Sequence, residues 1–240
     1  MSASPGPGVA LRAVGRQPLS EQVYETLKGA ILRGEIAPAT KLTEAEIARK
    51  LDVSPTPVRE AFRRLAAEGL VAIAPWRGVT VQSISDREMI ETYQCREVLE
   101  GMACRLAAMT IDADGITELK HLLAASRRAR SASEVARCNT DLHNVVFSYA
   151  GNAKLTAMLG LFHNVIQRDR SLTAYNARRR GEIHAEHAVI IEALERRDAE
   201  AAERAMRRHV HNGFAYRLSH PNGQESRRTI ERKHVRSEET

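Results

Sequence analysis

Apolar residues recur at a four-residue step near the start of the chain. Val23, Leu27 and Ile31 form one stripe, the spacing of an amphipathic helix, and Gly34 and Pro38 close it. Ile47 and Leu51 are the inward side of a second short helix, with Thr43 at its start and Glu46 three places on. That pairing predicts a capping box worth about 1 kcal/mol. Asp52-Val53-Ser54 reads as a tight turn. A third helix begins near Ser54 or Thr56, with Pro55 and Pro57 tolerated because first-turn N–H groups lack helical partners anyway. Val58, Phe62 and Leu65 form its apolar side; Thr56, Arg59 or Glu60, and Arg63 lie opposite. Gly69 stops it. Val71-Ala72-Ile73 and Val79-Thr80-Val81 then read as two short strands, with Pro75-Trp76-Arg77-Gly78 between them as a wing. The order predicts a winged helix-turn-helix over 18–83.

Beyond a linker at Ser83 to Asp86 the pattern is helical to about Ser219. Candidate helices span 86–109, 112–131, 133–150, 152–171, 176–197 and 198–219, and Ser85 or Asp86 caps the first. Gly151-Asn152 and Arg197-Asp198 are the clearest breaks. The fold class expected is mainly α: the winged unit followed by an all-helical bundle over 84–220. Residues 1–17 are rich in Pro, Gly and Ser, and 221–240 mix charges without an apolar stripe. Both read as disordered, a leader and a tail.

Composition supports helix over sheet. Of 240 residues, 43% are apolar but only 4% aromatic, so Leu, Ile, Val and Ala fill the core. The formal charge of +6 suits a polyanionic partner. Within 18–83, however, acidic and basic residues nearly cancel, so placement matters more than net charge. Cys95, Cys104 and Cys138 are odd in number and match no zinc or redox spacing, which predicts reduced, mostly buried thiols. No apolar run approaches the roughly 20 residues of a membrane span, and no hydrophobic signal segment opens the chain. The expected setting is a bacterial-type cytoplasm with no membrane partner.

Arg59 and Arg63 lie one turn apart and project from one face. Arginine can grip guanine O6 and N7 as a fork, or hold a phosphate. The helix N-terminus with the Ser54 and Thr56 hydroxyls suits phosphates. Gly78 would let the wing approach the sugar–phosphate backbone, with Arg77 beside it. Leu42-Thr43-Glu44, Ile47-Ala48, Leu51-Asp52-Val53-Ser54, Thr56-Pro57-Val58-Arg59-Glu60-Ala61, Arg64-Leu65, Glu68-Gly69-Leu70-Val71 and Gly78 together resemble the DNA-binding domain of the GntR family of bacterial transcription regulators. The resemblance implies that Thr56 and Arg59 touch DNA and that Gly78 sits at the wing tip. Pro55 departs from it, since the family usually has arginine there; one basic contact is lost.

The helical half carries a second constellation. His143 shares a face with Val146 and Phe147, His187 precedes Ile190 and Ile191, and His209 follows Ala205 and Met206. All three therefore face inward, where an imidazole needs a partner. A shared metal would satisfy them together; ordinary core hydrogen bonds would satisfy them singly. Arg96-x-x-x-Glu100, His143 ahead of Gly151-Asn152, and Glu186-His187 followed by Asp198-Ala199-Glu200 and His209 resemble the FCD ligand-sensing domain of the FadR-type subgroup. That resemblance implies a divalent metal, Zn or Ni, held by Asn139, His143, His187 and His209. The first position is commonly Asp, and Asn is a weaker, neutral donor. Asp141, two residues on, points elsewhere on a helix. Arg96, beside Tyr93, is either a counter-charge for a small carboxylate effector or an internal partner of Glu100. His121, His163, His211 and His220 fit no such pattern; His184, one turn before His187, could line the cavity.

The expected function is a ligand-responsive regulator: a homodimer on double-stranded, pseudo-palindromic operator DNA, since one short helix reads too few bases alone. Repression relieved by a small organic acid is the expected sign. Two other classes compete. A metal-dependent hydrolytic enzyme would use the histidines to activate water, but no general base accompanies them and the winged unit would have no purpose. A constitutive architectural DNA binder would leave the inward histidines unexplained.

Overall fold

The computed structural model describes residues 17–74, 78–167 and 176–220. The leader before Gln17, the Pro75-Trp76-Arg77 part of the wing and the tail after His220 lie outside these residues. The first unit contains α1 (Leu19–Leu32), β1 (Lys41–Leu42), α2 (Glu44–Leu51), α3 (Pro55–Ala67), β2 (Val71–Ala74) and β3 (Gly78–Val81). Val23, Leu27, Ile31, Ile47, Val58, Phe62 and Leu65 are all buried, so the three apolar stripes meet in one core. Asp52 makes the α2–α3 turn in the left-handed region, with φ 52°, a conformation that Asp tolerates better than most residues. Prolines occupy the first turn of α3, as the missing N–H partners allow.

Two local expectations change. A third strand, β1, joins the sheet in the antiparallel order β1-β3-β2, pairing Lys41 with Thr80 and Leu42 with Val79. Two residues are too few for an alternation to show in the sequence. The α2 capping box is half made. The Glu46 N–H donates to Thr43 Oγ1 at 3.2 Å, but the Glu46 carboxylate accepts from Lys50 instead of reaching back. Arg64 lies along α1, its guanidinium 3.8 Å from the centre of the Tyr24 ring and paired with Glu21 while still 45% exposed. That clamps α1 to α3 at the surface.

The second unit comprises α4 (Asp86–Thr110), α5 (Ala113–Arg128), α6 (Ala132–Tyr149), α7 (Ala153–Leu161), α8 (Ala177–Glu195) and α9 (Ala199–Ser219). Side chains of Ser85, Asp112, Ser131, Asn152, Asn176 and Asp198 each accept a bond from an N–H of the first turn they cap. The expected helix over 152–171 breaks at Phe162, and residues 163–167 are helical again. α4 packs along α9, and α6, α5 and α8 close around them. Leu119, Leu142, Val146, Ile190, Leu194 and Met206 fill this second core. Cys104 and Cys138 are buried and Cys95 is exposed, all three as thiols; burial pushes the Cys104 thiol well up. The two units touch where Asn164 Nδ2 donates to the Glu68 carbonyl at the end of α3, at 3.1 Å. No helix among the described residues is long and apolar enough to cross a membrane.

Leu65 is fully buried where α1, α3 and the sheet meet. Leu65→Ala leaves a cavity there and is expected to cost about 2–5 kcal/mol. In urea, the unfolding transition of the N-terminal unit should shift while that of the helical unit holds.

Candidate metal centre and nucleic-acid interface

On the winged unit, Ser54 is the N-cap of α3, yet its side chain makes no capping bond. It and Thr56 are exposed at the helix N-terminus, where the first free N–H groups point outward. Arg59 and Arg63 are both exposed on one face of α3. They differ in company. Arg59 grips the Glu44 carboxylate of α2 through Nε, at 2.9 and 3.1 Å, and through Nη2, at 2.6 Å. Arg63 makes no hydrogen bond or ion pair among the described residues. Gly78 opens β3 with φ +84° and is exposed. A side chain there would be strained by the backbone and would meet the Leu42 carbonyl at 3.4 Å. Ser54, Thr56, Arg59, Arg63 and Gly78 are thus the expected residues that reach the surface of this unit. Arg77 lies outside the described residues.

In the helical unit, α6, α8 and α9 bring His143, His187 and His209 together. Their ring centroids are 5.5, 5.1 and 4.7 Å apart, and one ligand atom from each lies within 4.8 Å of the others. All three are buried. The inward direction read from their spacing is correct, and the helices converge so that the three rings meet.

Two carboxylates stand behind this trio. His143 Nδ1 lies 2.7 Å from Glu100 Oε2 on α4, and Glu100 is fully buried. His209 Nδ1 bonds Glu186 Oε2 on α8 at 2.7 Å. Glu186 also accepts from Arg179 at 2.8 Å and Asn212 at 2.9 Å. Burial opposes ionisation of Glu186, but the bonds from His209 and Arg179 outweigh it and hold its carboxyl at about 2. Burial lowers the His209 pKa despite the bond to Glu186 and so favours the neutral ring. A neutral imidazole with Nδ1–H turned to a carboxylate presents the Nε2 lone pair, the arrangement that metal-ligating histidines use.

Asn139 sits one turn before His143 on α6, buried, and its Oδ1 has no hydrogen-bond partner among the described residues. Three imidazole nitrogens and an orphaned amide oxygen fit a divalent ion of borderline softness. Asp141 pairs with Arg137 at the surface, as its position on the helix requires.

Arg96 is paired as the second of its two readings expects. Its Nε donates to Glu100 Oε1 at 2.7 Å, both residues are buried, and its guanidinium lies 4.7 Å from the centre of the Tyr93 ring. It is an internal partner, and Tyr93 packs on Phe214. His184 bonds Ser126 of α5 at 2.9 Å and does not join the trio. His121, His163 and His211 are exposed, and His220 stacks on Tyr216. The sequence reading missed Glu186 and Arg179 as supports and took Glu100 only as a partner of Arg96. Arg179 and Glu186 are seven residues apart, two turns of one helix, which was a usable signal. The reach of Glu186 to His209 on another helix was not.

Comparison with known proteins follows the same division. Residues 19–81 match the model of bacterial regulatory proteins of the gntR family, and residues 91–212 match the FCD domain. The HTH-type transcriptional repressor RspR of Escherichia coli K12 is 29% identical over 197 residues, covering 81% of this chain and 86% of that protein. The fold is similar to that of E. coli McbR/YncC, with a TM-score of 0.73 at 23% identity over 86% of this chain and all of the other. A GntR-type regulator from Rhodococcus sp. RHA1 gives a TM-score of 0.72 at 25% identity, over 83% of this chain and 97% of the other. The gntR model and RspR represent transcription regulators rather than enzymes, which leaves the hydrolytic alternative without support. A gntR-type winged helix joined to an FCD helical domain places this chain in the GntR family of bacterial transcription regulators.

Proposed function

We propose that the chain is a repressor that binds operator DNA as a homodimer and releases it when a small organic carboxylate reaches a metal in the helical core. The observation that carries the reading is the buried trio His143, His187 and His209, backed by two carboxylates. In this reading Asn139 supplies the fourth donor. A divalent ion there would supply positive charge and open positions for a carboxylate. Glu100 and Glu186 orient the rings, and Arg96 and Arg179 hold those carboxylates in place. Arg96 therefore acts through Glu100 rather than on the effector directly.

DNA would be met by Ser54, Thr56, Arg59, Arg63 and Gly78. Coupling has a physical route, because α4 starts at the linker from the winged unit and carries Arg96 and Glu100. An effector that favours one position of α4 shifts the population of DNA-binding arrangements by its differential affinity for the two. Val98, Met102 and Met109 are all exposed on α4 and fall within about 40° of one another around the helix. Such a stripe supports pairing of two copies through this helix. The repressive sign follows RspR, whose name records it.

The central test is thermal unfolding with small mono- and dicarboxylates, with and without chelator. Stabilisation that needs the metal is expected; an acid effect indifferent to chelator would remove the metal from the reading. Competition against a chromophoric chelator should show Glu186→Gln weakening metal affinity about 10–100-fold, with His187→Ala weaker still. Unchanged affinity in His187→Ala would dismiss the trio as ligands. Sedimentation should give a dimer for the native chain and a monomer for Met102→Glu.

A further inference from the structure

We infer that Glu44 determines base specificity, by holding Arg59 along one edge so that the opposite edge is presented to DNA already oriented. This rests on the reading of Arg59 as a DNA contact. Glu44 opens α2 and Arg59 lies on α3, so the pair crosses the helix-turn-helix. A guanidinium carries five N–H groups. Glu44 takes the Nε–H and one hydrogen of Nη2. The two hydrogens of Nη1 and the second of Nη2 remain, and the outward one of Nη1 with that of Nη2 forms the end-on fork that matches guanine O6 and N7.

The pair does little for the fold. The Arg59 and Glu44 side chains are 53% and 35% exposed, and exposed ion pairs contribute almost nothing to stability. On a surface meant for phosphates, the carboxylate is also repulsive. Glu44 stays ionised there, because the Arg59 bonds hold its carboxyl below the usual range. A negative group at this place weakens sequence-independent attraction and restricts the rotamers of its neighbour. Arg63, one turn on, feels the Glu44 charge but makes no bond to it, so it keeps more freedom and suits phosphate contact. The two arginines thus divide the work: a braced reader and an adaptable anchor.

The test uses the full chain and a library of randomised DNA duplexes. Sites are selected with the native protein, Arg59→Ala, Glu44→Ala and Glu44→Gln, and the affinities for the native site and for a scrambled duplex are measured. Circular dichroism checks that each variant is folded. Glu44→Ala should lose the same base preference that Arg59→Ala loses and bind the native site roughly tenfold or more weakly. It should bind the scrambled duplex as tightly as the native protein or tighter. Glu44→Gln, which keeps an acceptor, should fall between. If Arg59→Ala alters the selected motif while Glu44→Ala selects the native one at native affinity, Glu44 does not position the reader. Equal strengthening on both duplexes also overturns the inference, since it marks a merely repulsive carboxylate. An unaltered motif from Arg59→Ala overturns the underlying reading of Arg59 instead.

Discussion

Three buried imidazoles, the buried Glu100 and the partly buried Glu186 set the terms for the helical bundle around them. None can be left without a partner in a low-dielectric interior. Four of the helices are therefore tied to one point: α4 through Arg96 and Glu100, α6 through His143, α8 through Arg179, Glu186 and His187, and α9 through His209 and Asn212. An apolar core of similar volume would be as stable or more so. The cluster is better explained as a site than as a fastening. The rings face one another while carboxylates lie against the Nδ1 atoms of His143 and His209.

Shared partners also link the helical unit to the winged unit. α4 is both the first element after the linker and a wall of the polar cluster. A displacement of Glu100 is felt along a stiff helix whose first turn follows β3. The Asn164 bond to the Glu68 carbonyl adds a contact at the end of the recognition helix. On the proposed reading, a ligand would rebalance two arrangements of nearly equal free energy across these links.

Charge is handled differently on the two units. In the helical core Arg96, Glu100, Arg179 and Glu186 are each paired at close range. On the winged face the partners are few and exposed, and Arg64, although beside Arg63 in sequence, lies against Tyr24. Net charge near zero in this unit reflects acidic residues set against arginines, Glu44 on Arg59 and Glu21 on Arg64.

Much of this was legible in the amino-acid order alone. Apolar spacing located three helices, two strands of the wing and most helical breaks, because local periodicity and caps act over four or five residues. The direction of the three histidines followed from the same spacing. Strand β1 was too short to leave a pattern, and the Phe162 break carried neither Gly nor Pro at the breaking residue. Chain order left the reading of Arg96 open between effector and Glu100, and gave no hint that Glu186 would reach His209 or that Glu44 would take hold of Arg59. Those pairings span helices 15 to 23 residues apart. Helix periodicity tells a side chain which way to face, but only the packing of one helix on another tells it whom it meets.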